Sequence, residues 1–258
     1  MEEIKILKDN AMEIPALVQV EENPQRVIIM VHGFTSNKAC ATAELLFRRF
    51  SGQALALITY DQPGHGDATY DVLSVSNCID SLKTVEKYAE ERFKGVPIGY
   101  FGSSFGAYVI GLYISTMAHK GDKAFLRSAA VNMPDLIIEP LKKAWCSEIE
   151  KLLKEQGYIE PDLGLGDTVK IPAAFIKELN ENNLFEKFDN EKFGHTEVEF
   201  VHGGKDPVVN INATRSFADK FGFKFNVIEG EGHSICDKAE SPDKVADLAI
   251  EFFNKFEK

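Results

Sequence analysis

The sequence predicts an α/β fold in which a mostly parallel sheet of about eight strands carries helices on both faces. Three observations predict it. Short runs such as Val27-Ile28-Ile29-Met30-Val31 are apolar throughout rather than alternating, as strands covered on both faces should be. Segments with three- and four-residue apolar spacing separate those runs, which is the rhythm of strand–helix–strand units. One such junction holds Gly102-Ser103-Ser104-Phe105-Gly106, a Gly-x-Ser-x-Gly turn between an apolar strand and an apolar helix.

Taken in order, Ile4 to Lys8 and Ala16 to Val20 read as two strands of a partly exposed antiparallel hairpin, with a polar turn at Asp9-Asn10. Glu21-Glu22-Asn23-Pro24 breaks the chain before the strand at 27–31, which runs into His32-Gly33-Phe34-Thr35-Ser36. A helix is expected from Ala39 to Phe50. A strand from Ala54 to Tyr60 then ends in Asp61-Gln62-Pro63-Gly64-His65-Gly66-Asp67. Val75, Ile79, Leu82, Val85 and Ala89 form the apolar stripe of a helix over 75–93. Val96 to Phe101 is the strand before the Gly-x-Ser-x-Gly turn, Ala107 to His119 the helix after it, and Ala124 to Val131 the next strand.

The rhythm stops between Pro134 and Gly194, a stretch too long for a plain loop. Residues 134–194 are expected to form an inserted lid, with 1–133 and 195–258 making the core domain. Leu141, Trp145, Ile149 and Leu152 share one helical face, and Ala173 to Leu179 forms a second helix. Regular alternation returns with a strand at Val198 to Val201, a helix from Ala213 to Phe221, a strand from Phe223 to Ile228 and a final helix from Val245 to Phe256.

At 258 residues with 44% hydrophobic and 27% charged side chains, the chain fits one large domain. A formal charge of −11 argues against nucleic acid or an anionic membrane as partner. Cys40, Cys78, Cys146 and Cys236 are widely spaced and suggest neither a disulfide framework nor a zinc site. No signal peptide is visible and no apolar stretch has membrane-spanning length, so a cytoplasmic location without membrane insertion is expected.

The Gly-x-Ser-x-Gly register is unambiguous, because centring it on Ser103 would put Phe101 and Phe105 where glycines belong. A sharp strand-to-helix turn pushes the Ser104 hydroxyl out at the end of the sheet, beside the free N–H groups of a helix start. A serine hydroxyl needs a base to become a nucleophile, and the base needs an orienting acid. Loops at the carboxyl ends of later strands offer both. His202-Gly203-Gly204-Lys205-Asp206-Pro207-Val208-Val209 supplies Asp206, and Glu229-Gly230-Glu231-Gly232-His233-Ser234 supplies His233. Asp135, just past an earlier strand, is the rival for the acid role. His32 and His65 are read as holding loop geometry, His202 as packing at a strand end, and His119 and His195 as surface residues.

With these pieces the sequence resembles the α/β-hydrolase superfamily over most of its length apart from 134–194. The matching segments are His32-Gly33-Phe34, Asp61-x-Pro63-Gly64-His65-Gly66, the serine turn, Gly203-x-x-Asp206-x-x-Val209 and Gly232-His233. The resemblance implies Ser104 as nucleophile, His233 as general base, Asp206 as orienting acid, and an oxyanion hole made by the main-chain N–H groups of Phe34 and Phe105. One departure is Ser103, a position often occupied by His in lipases and esterases. The implied activity is hydrolysis of small or medium carboxylic esters through an acyl-enzyme, with no metal or cofactor and a small-molecule ester as the partner. Feruloyl or cinnamoyl esterases and monoacylglycerol lipases are similar in layout. Leu141, Trp145 and Ile149 are the candidate pocket residues. A serine peptidase using lid carboxylates such as Glu148 or Glu155, a thioesterase, and a catalytically silent binding protein on the same fold remain open at this stage.

Overall fold

The computed structural model describes residues 1–144, 146–161, 167–189, 191 and 194–255. Trp145 and Phe256 therefore lie outside the described residues. β1 (Glu2–Leu7) and β2 (Glu13–Gln19) form the expected antiparallel hairpin, and β2 pairs antiparallel with β4 (Leu55–Tyr60). From β4 onward the sheet is parallel through β3 (Arg26–Val31), β5 (Ile98–Ser103), β6 (Lys123–Arg127), β9 (Glu197–Gly203) and β10 (Lys224–Ile228). The order across its eight strands is β1-β2-β4-β3-β5-β6-β9-β10.

The uninterrupted apolar runs are explained by two separate cores. Successive side chains of a strand point to opposite faces. Val27, Ile29 and Val31 of β3 pack with α2 (Val75–Arg92) and α3 (Phe105–Thr116). Ile28 and Met30 pack instead with α1 (Ala41–Phe50) and α9 (Ser241–Asn254). Both faces of the strand are dry, so every position must be apolar. In α3 all residues from Phe105 to Ser115 are buried, because the helix lies between the sheet and further helices. Its start at Phe105 rather than Ala107 brings the helix up to Ser104 itself. The last helix begins at Ser241 rather than Val245, where Pro242 occupies the first turn, a position that loses no helical hydrogen bond.

Between β6 and β9 the chain forms α4 (Met133–Ala144), α5 (Ser147–Glu155), a two-residue ladder of β7 (Tyr158–Ile159) with β8 (Ile171–Pro172), then α6 (Ala173–Glu181) and α7 (Leu184–Lys187). The single helical face expected through Leu141 and Ile149 is broken here. Cys146 is extended, and α5 starts anew with Glu148 and Glu150 in its first turn, where carboxylates favour a helix N-terminus. α6 is fastened to the core by Phe175, whose ring stacks on Phe34 and meets Phe105 edge-on. α8 (Ile211–Phe221) connects β9 to β10. His119, expected at the surface, is buried and its ring stacks on exposed His195 at 4.2 Å, because the 194–196 turn folds over the end of α3. No helix among the described residues is long and apolar enough to cross a membrane.

Candidate active site

Ser104 sits between the last residue of β5 and the first of α3 with φ 53° and ψ −112°, a conformation that costs about 1–3 kcal/mol for a residue with a side chain. Its surroundings hold it there. The Ser104 N–H donates to the Arg127 carbonyl at 2.9 Å, and its carbonyl accepts from Ala107, Tyr108 and Ala130. The flanking glycines are steric necessities. A Cβ on Gly102 would lie 2.6 Å from Ala107 Cα, and one on Gly106 would lie 2.1 Å from the Val31 carbonyl oxygen. Strand, turn and helix can therefore meet only with hydrogen at both positions.

The loops after β9 and β10 bring two further side chains to this turn. His233 Nε2 is 3.0 Å from Ser104 Oγ, and His233 Nδ1 is 2.8 Å from Asp206 Oδ2. A carboxylate can only accept, so Nδ1 carries the ring hydrogen and Nε2 is free to accept from the serine hydroxyl. Ser128 Oγ donates to the His233 carbonyl at 2.8 Å, which ties this loop to the end of β6. Asp135, the rival acid, stands in the first turn of α4 and borders the cleft without a hydrogen bond to His233.

Asp206 has no exposed side-chain surface and is fully provided with donors. Its Oδ1 accepts from the N–H groups of Val208 at 2.8 Å and Val209 at 2.9 Å. Its Oδ2 accepts from His233 and, at 3.0 Å, from His202 Nε2. That same nitrogen faces the Val209 carbonyl at 3.2 Å, so with acceptors on both sides it must carry a hydrogen. Burial would raise the Asp206 carboxyl, but hydrogen bonds from His202 and His233 and the attraction of His233 outweigh it. Together they hold the group well below the ordinary carboxylate range. His202, read from sequence as packing at a strand end, thus reaches the site through Asp206. The spacing His202-x-x-x-Asp206 across a strand end was the available signal.

The N–H of Phe105 lies in the first turn of α3, where the helix supplies no carbonyl partner. The N–H of Phe34 likewise donates to no protein group among the described residues. The two rings meet edge-on with centroids 5.5 Å apart. Phe34 is positioned by a locked pair of loops. His32 Nδ1 donates to the Gly33 carbonyl at 2.8 Å, while its Nε2 accepts from the Gln62 N–H at 3.1 Å. Gln62 Nε2 in turn donates to the His32 carbonyl at 2.7 Å. His65 Nδ1 donates to the Pro63 carbonyl at 2.9 Å. Burial keeps both imidazoles neutral, His32 pushed down to about 4 and His65 to about 3. Beneath them the Lys38 ammonium bridges Asp61, at 2.9 Å, and Asp67. Asp61 also accepts from the N–H groups of Lys38 and Asp67.

A cleft of about 1270 Å³ opens over Ser104 and His233. One wall comes from α4 through Met133, Leu136, Ile137 and Pro140, and another from α1 and the loop after His233 through Ala41, Leu45, Leu46, Ile235 and Cys236. Of the candidate pocket residues, Leu141 and Ile149 pack in the apolar core and are absent from this lining, since α4 turns its 133–140 stripe to the cleft. Trp145 lies outside the described residues. Arg127 and Ser103 border the cleft instead, a pairing that no sequence pattern announced. Among the described residues no cluster of three or more His, Cys, Asp or Glu is arranged to hold a metal.

The family model described as serine aminopeptidase, S33, matches residues 22–188. No curated protein matches the sequence. Among solved structures, Est1E from Butyrivibrio proteoclasticus with bound ferulic acid superimposes with a TM-score of 0.78 at 18% identity, over 98% of this chain and 100% of that one. A thermostable carboxyl esterase from Bacillus coagulans gives 0.76 at 16% identity, over 98% and 97%. Mouse α/β-hydrolase domain-containing protein 10 gives 0.68 at 17%, over 96% and 97%. At these identities the likeness is one of fold, and the fold is that of the α/β-hydrolases.

Proposed function

This chain belongs to the serine aminopeptidase S33 family of α/β-hydrolases, and we propose that it hydrolyses carboxylic esters of small or medium acyl or aryl groups through an acyl-enzyme on Ser104. The observation that carries this reading is the pair of hydrogen bonds linking Ser104 Oγ to His233 and His233 to Asp206. Ser104 Oγ attacks the ester carbonyl while His233 Nε2 takes its proton. Asp206 holds the ring tautomer and steadies the imidazolium. The oxyanion is met by the N–H groups of Phe34 and Phe105, each contributing roughly 3–4 kcal/mol of barrier lowering. His233 returns the proton to the leaving alcohol, then activates the water that releases the acid. Residues 134–194 act as a cap on the core formed by 1–133 and 195–258, with α4 as its substrate-facing wall.

Aminopeptidase chemistry is the second reading, favoured by the family's description and by Asp135 and Glu139 in the cleft lining, where a peptide amine would need carboxylates. Glu148 and Glu155, the acids the sequence offers for that role, are exposed on α5 and do not border the cleft. Purified protein offered p-nitrophenyl esters and aminoacyl p-nitroanilides in parallel decides between them. Ester turnover that falls by about 10⁶ in Ser104→Ala supports the proposal. Anilide cleavage without ester cleavage would replace it with the second reading, and turnover retained in Ser104→Ala would refute both.

A further inference from the structure

Five Lys or Arg side chains are buried among the described residues, and four of them are neutralised by a carboxylate. Lys8 pairs with Asp71, Arg26 with Asp122, Lys38 with Asp61 and Lys123 with Glu197. Arg127 is the exception. It is 8% exposed, and its guanidinium donates to two neutral oxygens, Ser103 Oγ at 2.6 Å and the Ser234 carbonyl. A guanidinium has five N–H donors, so three remain without a protein acceptor among the described residues. A buried charge lacking a counter-ion is costly, and the other buried cations of this chain show how it is ordinarily resolved.

Arg127 also occupies a particular place. It ends β6, borders the same cleft as Ser104 and His233, and lies on the side walled by α1. The same lining includes Phe101, Leu46, Ile235 and Val245, apolar groups that compete for none of its donors, and the Asp206 carboxylate attracts the guanidinium only from beyond ion-pair distance. Ser103 and the Ser234 carbonyl fix two corners of the planar fork. One hydrogen bond leaves from each Nη, so three N–H groups remain, and a guanidinium meets a carboxylate through paired, charge-assisted hydrogen bonds.

We propose that the α1 side of the cleft selects substrates carrying a carboxylate close to the scissile ester, with Arg127 as the counter-ion. The inference rests on the ester-hydrolase reading and names its substrate class: hemiesters and related anionic esters. Ser103, beside the nucleophile, orients the guanidinium through its hydroxyl.

The test compares p-nitrophenyl hemiesters of succinate, glutarate and adipate with matched esters in which an isopropyl group replaces the carboxylate. For at least one chain length the wild-type kcat/KM ratio, anionic over neutral, should exceed about ten, as expected for a charge-assisted bidentate contact. The ratio should fall to one or below in Arg127→Gln and be partly kept in Arg127→Lys. Using the ratio cancels any general slowing caused by losing the bond to Ser234. Calorimetry on Ser104→Ala with monomethyl glutarate and methyl 5-methylhexanoate reads binding without turnover, and the anion should bind about tenfold tighter. Equal affinity, a wild-type ratio at or below one for every length, or a preference that survives Arg127→Gln would overturn the assignment. Absence of ester turnover with the binding preference intact would instead count against the ester-hydrolase reading alone.

Discussion

Replacing Lys38 by Met removes the cation beside Asp61 while keeping most of the stem that fills the space between the 32–38 and 61–67 loops. Asp61 has no exposed side-chain surface and would remain as a buried carboxylate without a counter-ion. Breaking such a pair costs about 3–5 kcal/mol. The lower end applies here, because Asp61 keeps the N–H groups of Lys38 and Asp67 at 2.7 and 3.0 Å. The bridge to Asp67 adds little, since that carboxylate is 70% exposed. With a urea slope of about 3 kcal/mol per molar, a loss of about 3 kcal/mol moves the midpoint down by about 1 M. Adding Asp61→Asn to Lys38→Met removes the uncompensated charge and should recover part of the loss, although the amide oxygen can accept only one of the two N–H groups, which go to different carboxylate oxygens. These loops position Phe34, so the single variant should also lose kcat more than it raises KM. A single-variant loss below about 1 kcal/mol, or a double variant less stable than Lys38→Met, would refute the reasoning.

Acid should destabilise the fold through its buried histidines. His32, His65 and His119 are held neutral by burial, down to about 4, 3 and 4 against an ordinary 6.5, so the unfolded chain takes up protons that the folded one refuses. Stability therefore falls as pH drops from 6.5 towards 4, by up to about 1.4 kcal/mol per pH unit for each imidazole, and equal urea midpoints at pH 7.5 and 5 would contradict this. Asp206 acts in the opposite sense and lower down. Its depressed carboxyl contributes stability that is present above the ordinary value of 3.8 and is lost only as pH falls through the still lower folded value. His202→Phe removes one charge-assisted donor from Asp206 and should lower kcat by about 10- to 100-fold with little change in KM, matching a bond of about 1.5–3 kcal/mol. Steady-state ester kinetics, with His202→Gln as the variant that keeps a donor, check it.

The sheet was legible because its cause is local. Dry strands on two cores must be apolar at every position, and Val27 to Val31 and Leu55 to Tyr60 are nearly so. The serine turn was legible for a similar reason, since Gly102 and Gly106 record steric limits that no other residue satisfies. The contacts linking Ser104, Asp206 and His233 span long sequence separations, and only the topology of a parallel sheet made them readable. What escaped notice depends on long-range packing without a local pattern. The break at Cys146 ends an amphipathic face that spacing alone would continue. His119 is covered by a turn more than seventy residues away in the chain. Nothing local singles out Arg127, whose place depends on β5, β6 and the His233 loop closing around it, and His202 donates to Asp206 only because the loop after β9 turns back.

The most direct measurement is the site and rate of covalent labelling by a fluorophosphonate, read by intact mass and peptide mapping. An alcohol activated by His233 predicts one adduct on Ser104, absent from Ser104→Ala and slowed by orders of magnitude in His233→Ala. An adduct on another residue, or unchanged labelling of Ser104 in His233→Ala, would contradict the account.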